Sequence, residues 1–136
     1  MYKIGEKAEF SKTISESDVY LFAGISGDMN PIHINSVEAK KSFIGDRIAH
    51  GALISGFIST VIGMYLPGPG TIYMEQDSKF VKPVYIGDTV KAVVEIAEIL
   101  NESKRILKLE TNVYNQDNDI VITGYAIIKA PKRGEE

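Results

Sequence analysis

The sequence contains no cysteine, which excludes disulfides, thiolate metal sites and cysteine nucleophiles. Its two histidines, His33 and His50, stand seventeen residues apart with no cysteine beside them, a poor set of metal ligands, so no metal is expected. A charge excess is also lacking: 15 basic against 18 acidic side chains leave a formal net charge of -3, interspersed along the chain. That offers no field to hold nucleic acid or an anionic membrane, and neither is an expected partner. The longest uncharged run, Gly51 to Met74, is broken by Pro67-Gly68-Pro69-Gly70 after sixteen residues. Spanning a bilayer takes roughly 20 apolar residues, so the expected reading is a helix buried on nearly every side. The opening Met1-Tyr2-Lys3-Ile4-Gly5-Glu6 lacks the apolar core of a signal peptide, and a cytoplasmic location is expected.

What is present has the balance of a globular domain, with 136 residues of which 44% are hydrophobic and 24% charged. That is enough chain for one core and too little for two. With no internal repeat, low-complexity tract or linker, residues 1–136 are expected to form one domain that closes in a short frayed tail, Pro131 to Glu136.

A short strand is expected near Ala8 to Ile14, then a helix opened by Ser15 or Ser17, with Asp18 in its first turn and Val19, Phe22 and Ala23 inward. Gly27 to Asn35 loses all periodicity and reads as an irregular loop. Ser36 is the expected cap of a second short helix through Phe43. In the uncharged run Leu53, Phe57, Val61 and Met64 recur at helical spacing, and Ala52, Gly56, Ser59 and Gly63 form a second stripe, small enough to let a sheet approach the helix axis. Each internal glycine costs an isolated helix roughly 0.5–1 kcal/mol relative to alanine, so packing must hold this one together.

After Gly70 the character changes to strands, expected over Thr71 to Val84, Thr89 to Leu100, Arg105 to Tyr114 and Ile120 to Ala130. Leu107, Leu109, Thr111 and Val113 alternate with Lys108, Glu110 and Asn112, as a strand with one wet face requires. Short connections make the last three strands an antiparallel meander. The sum is an α+β domain with a sheet packed on a long helix. Apolar residues on the other sheet face, such as Val93, Tyr125 and Ile127, point to a second subunit and hence to a dimer at least.

Three places could carry chemistry. Asp28 and His33 combine a carboxylate and an imidazole that, in a loop bent at Asn30-Pro31, could converge on a water molecule. Asx turns and structurally partnered histidines produce the same spacing. Gly51, after Ala49-His50, stands where free backbone N–H groups meet the positive end of a helix dipole, a plausible oxyanion site; easing a tight turn is the plainer explanation. Ser59 lies in the small-residue stripe, where a serine commonly bonds the carbonyl one turn back. No Gly-x-Ser-x-Gly elbow surrounds it, and it does not read as a nucleophile.

Taken together, Phe22-Ala23-Gly24-Ile25-Ser26-Gly27-Asp28-Met29-Asn30-Pro31-Ile32-His33 resembles the signature loop of MaoC-like (R)-specific enoyl-CoA hydratases. The resemblance continues through Ile48-Ala49-His50-Gly51, the helix bearing Ser59, Leu66-Pro67-Gly68-Pro69-Gly70 and Phe80-Val81-Lys82-Pro83-Val84-Tyr85-Ile86-Gly87-Asp88. It implies a hot-dog fold, a curved antiparallel sheet wrapped around a long central helix and paired as a homodimer or higher homo-oligomer, and reversible hydration of a trans-2-enoyl-CoA. In that reading Asp28 and His33 hold the water, the Gly51 N–H takes the thioester oxygen, and Asn30 and Ser59 add polar contacts to substrate. No cofactor is implied, because CoA is part of the substrate. Rival readings are a hot-dog thioesterase, which would release free CoA, and a non-catalytic module that binds acyl-CoA or acyl-carrier protein.

Overall fold

The computed structural model describes residues 1–134. In chain order its elements are β1 (Lys7–Thr13), α1 (Glu16–Ser26), α2 (Pro31–Ile34), α3 (Ser36–Lys41), α4 (Gly51–Met64), β2 (Ile72–Phe80), β3 (Thr89–Asn101), β4 (Ile106–Tyr114) and β5 (Ile120–Lys129). One antiparallel sheet runs β1-β3-β4-β5-β2, with the expected meander β3-β4-β5 at its centre. Register shifts between Ile96 and Glu98, between Ile99 and Asn101 and between Tyr73 and Glu75 are the bulges by which a sheet curves. The curve wraps α4.

Alternation decides which side of each strand meets the helix. Val90, Ala92, Val94 and Ile96 of β3, Leu107, Leu109 and Val113 of β4, and Ala126 and Ile128 of β5 are all buried against Ile54, Ile58, Val61 and Ile62 of α4. Each valine, leucine and isoleucine among them contributes about 1.5–3 kcal/mol on leaving water. Gly124 sits where β5 and β2 approach most closely: a Cβ there would lie 1.8 Å from the Asp77 carbonyl oxygen, so glycine alone fits.

Several expectations are corrected. The α4 stripe that faces the sheet is Ile54, Ile58, Val61 and Ile62, with Leu53 and Phe57 half-buried beside it, while Met64 is 62% exposed. Ala52, Gly56 and Ser59 face outward, so the small residues do not seat the sheet and α4 is covered on one side only. In a helix apolar almost all round, periodicity offers two equivalent faces, and bulk decides which packs. The second strand stops at Phe80, short of Val84: the Val81 and Lys82 N–H groups both turn onto the Val121 carbonyl, and Pro83 has no N–H with which to resume the ladder. The expected frayed tail is tied down at Arg133, which pairs with Glu6 at 2.8 Å and lies over the Tyr2 ring. Glu135 and Glu136 lie outside the described residues.

Candidate functional site

The chain reaches the site through a series of caps. Ser15 opens α1 by a capping box with Asp18. Gly27 closes it in the left-handed region, φ 82°, a conformation that favours glycine, and its N–H donates to the Ala23 carbonyl. The chain then bends through two Asx contacts: Asp28 Oδ1 accepts from the Asn30 N–H at 3.1 Å, and Asn30 Oδ1 from the Ile32 N–H at 3.3 Å. Asn30 thereby caps a single helical turn, α2, with Pro31 at its first position. The Gly27 to Asn35 segment is thus not wholly irregular. Asn35, rather than Ser36, caps α3, its Oδ1 accepting from Val37 and Glu38 N–H groups.

This turn carries His33 inward to 7% exposure. Its Nδ1 lies 2.6 Å from the Ile48 carbonyl oxygen. A carbonyl can only accept, so Nδ1 holds the proton and Nε2 is left with a lone pair. The Ile48 N–H in turn donates to the Ile32 carbonyl at 3.0 Å, so the clasp runs both ways. Burial pushes the His33 imidazole below the ordinary histidine value; the Ile48 carbonyl opposes this, His50 reinforces it, and Asp28 pulls upward.

His50, a residue to which no role was given on sequence grounds, completes the cluster. It is 2% exposed, donates from Nε2 to the Asp28 backbone carbonyl at 2.9 Å, and stacks on the His33 ring at 3.9 Å between centroids. The half-buried Phe22 ring packs on it at 4.8 Å. Seventeen residues of sequence therefore close into direct contact, and ligand atoms of Asp28, His33 and His50 lie within 4.8 Å of one another. The ground for discounting a metal, that the histidines are remote from each other, does not hold in space. Their geometry favours one poorly, however, because imidazole ligates in its ring plane and two rings stacked at 27° converge badly on one ion.

α4 begins immediately after His50, and no side chain caps it. The N–H of Gly51 therefore points off the helix start, where the dipole favours negative charge. Beside it opens a cavity of about 530 Å³ lined by Ala49, Gly51, Ala52, Phe80, Val81 and Pro83. The Phe80 ring lies over Gly51, 2.8 Å from where a Cβ would stand. A second cavity of about 450 Å³, lined by Tyr2, Ile99, Arg105 and Leu107, lies at the opposite end of the sheet, remote from the histidines.

Of the residues singled out from the sequence, the structure brings Asp28 and His33 together and sets Gly51 next to them along the chain from His50. The Asn30 side-chain oxygen is spent on the α2 cap. Ser59 is exposed, eight residues up α4 from Gly51, or about 12 Å along the helix at ~1.5 Å per residue. Neither the His50 contacts nor the Ile48 carbonyl was legible beforehand; the one signal was a histidine set directly before a buried helix.

Compared with protein families, residues 2–118 match the MaoC like domain. An (R)-specific enoyl-CoA hydratase of Rhodospirillum rubrum is 48% identical over 132 residues, 97% of this chain and 90% of that protein. A 3-hydroxybutyryl-CoA dehydratase of Methylorubrum extorquens is 42% identical over 98% of this chain and 83% of its own length. Among solved structures, an (R)-hydratase from A. caviae involved in PHA biosynthesis superposes with a TM-score of 0.92 at 37% identity, covering 96% of this chain and 98% of that one. With a sheet curved around one helix, and with likeness in sequence and in structure over nearly the whole chain, this protein belongs to the MaoC-like family.

Proposed function

We propose that this protein is an (R)-specific enoyl-CoA hydratase, adding water reversibly across the double bond of a trans-2-enoyl-CoA. The observation that carries the reading is the His33 imidazole, buried with its Nδ1 committed to Ile48 and its Nε2 lone pair free, in a cluster with Asp28 at the uncapped start of α4. The conjugated thioester draws electrons toward its carbonyl, and the Gly51 N–H stabilises the negative charge that builds on that oxygen. A lost donor of this type costs about 2.7–4 kcal/mol. Water, held by Asp28 and His33, then attacks C3; its proton passes to the dyad, and the dyad returns a proton to C2, so the net change is addition of one H2O.

In this mechanism Asn30 acts by shaping the turn that aims His33, and Ser59, exposed on the outward face of α4, adds a polar contact to substrate. No cofactor or metal is required, since CoA belongs to the substrate. A homodimer is part of the proposal: Met64, Tyr65, Ile72, Met74, Phe80 and Val81 leave an exposed apolar band along α4 and β2, the kind of surface a second subunit covers. No helix among the described residues is long and apolar enough to cross a membrane. A cytoplasmic location is part of the proposal.

The test is incubation with crotonyl-CoA, following the enoyl-thioester absorbance and free thiol in parallel. Absorbance lost without thiol release is the expected result. Thiol release would instead mark a thioesterase, and no change with acyl chains of several lengths would leave a binding module.

A further inference from the structure

We infer that His50 is a positioning residue for the reaction: one imidazole fixes the backbone of Asp28 through a hydrogen bond and the ring plane of His33 through stacking, so that the two dyad groups keep one geometry. The inference rests on the hydratase reading and extends it to a residue outside the dyad.

The bond to Asp28 determines the tautomer. The Asp28 carbonyl can only accept, so His50 Nε2 carries the proton. Its Nδ1 is buried without a partner, and a bare lone pair is the form such a position tolerates, since a second N–H there would be a buried unsatisfied donor. The ring is held on its faces by His33 at 3.9 Å and Phe22 at 4.8 Å. Asp28 needs such an anchor. The chain around it is exposed from Gly24 in the last turn of α1 to Pro31 at the start of α2, and apart from its Asx contact with Asn30 and the Ser26 hydroxyl, which accepts from its N–H, Asp28 is bound to the rest of the fold through His50. His33, for its part, is clasped by Ile48 at one nitrogen, a contact that leaves the ring free to rotate out of plane unless something packs on its face. A displacement of about 1 Å in such a group can cost roughly 10²-fold in rate.

The groups that act electrostatically on His33 are His50 from the α4 start and Asp28 from the α1–α2 loop. Arg47, on the same segment as Ile48, spends its guanidinium on Glu16 and Tyr20, and the Tyr20 and Tyr85 hydroxyls donate to the Ile34 and Ile44 carbonyls. The stacked His50 ring covers one face of His33, so replacing it by a side chain without a ring relieves part of the burial that holds the His33 titration down.

Two variants separate the two contacts. His50→Gln retains an N–H donor near the Nε2 position but no ring, and His50→Phe retains the ring but no donor. With folding checked by circular dichroism, we expect His50→Phe to lower kcat on crotonyl-CoA by roughly 10²-fold with KM within about threefold, and His50→Gln to recover part of that loss. By NMR, we expect the His50 ring of the wild-type protein to be protonated at Nε2 and bare at Nδ1, and the His33 titration to move to higher pH in His50→Gln, which lacks the covering ring. Wild-type kcat in both variants, an unmoved His33 titration in His50→Gln, or a His50 protonated at Nδ1 would each overturn the inference. Should the wild-type protein fail to hydrate any enoyl-CoA, the hydratase reading falls, while the tautomer and the His33 titration still decide the role of His50.

Discussion

In the sheet and the inward face of α4, order comes from many interchangeable apolar contacts: Val94, Ile96, Leu109, Ile128, Ile54 and Ile58 are each at most 1% exposed, and no single one of them defines the arrangement. From Gly27 to Gly51, by contrast, the chain is held by a few directional bonds, Asp28 to Asn30, Asn30 to Ile32, His33 to Ile48 and His50 to Asp28, with little apolar burial beneath them. The scaffold can lose a methyl group and relax, whereas the site loses a defined geometry with every bond removed. Change in the first region should register in stability, and change in the second in turnover.

The largest expected effect lies in the second region. His33→Asn should lower kcat by about 10²- to 10⁴-fold, measured as crotonyl-CoA hydration, while the sheet signal in circular dichroism is retained. Leu109→Ala sharpens the contrast from the other side: denaturant unfolding should show a loss of about 2–5 kcal/mol, with turnover per folded molecule unchanged. Ser15→Ala, which removes the α1 cap far from the histidines, should cost about 1 kcal/mol in the same unfolding measurement and leave KM untouched.

The smallest effect is one of pH, and it links the regions. His33 titrates below its ordinary value of about 6.5, chiefly because it is buried. The unfolded chain therefore takes up this proton first as pH falls, so the stabilising contribution is complete above about 6.5 and is lost as pH drops from there through the lower folded value. The acid limb of kcat/KM should fall in that same range, below 6.5 and not above it, and thermal melts across the range should show Tm declining with it.

Most of the scaffold was legible because strands with one wet face write their burial into a period of two. β3, β4 and β5 fall within a residue or two of their expected bounds, and the buried set Leu107, Leu109, Thr111 and Val113 is the one alternation selects. The buried face of α4 was not legible, since an almost wholly apolar helix carries no contrast between faces. Asp28 and His33 were visible as a loop pattern, but α2 was hidden by reading Asn30-Pro31 as a bend, when the pair is also a helix cap followed by its first residue. His50 was missed for a different reason. Its partners are seventeen and more residues upstream, and no local pattern encodes a contact that only the return of the chain along Ile48 creates.

The most direct measurement is crotonyl-CoA hydration by wild-type protein and Asp28→Asn side by side, with Tm recorded for both. Asp28 is exposed and its carboxylate accepts one local hydrogen bond, from the Asn30 N–H, so the substitution should leave Tm within about 2 °C while kcat falls by at least about 10²-fold. An Asp28→Asn protein that hydrates crotonyl-CoA at the wild-type rate would show that the water is activated elsewhere.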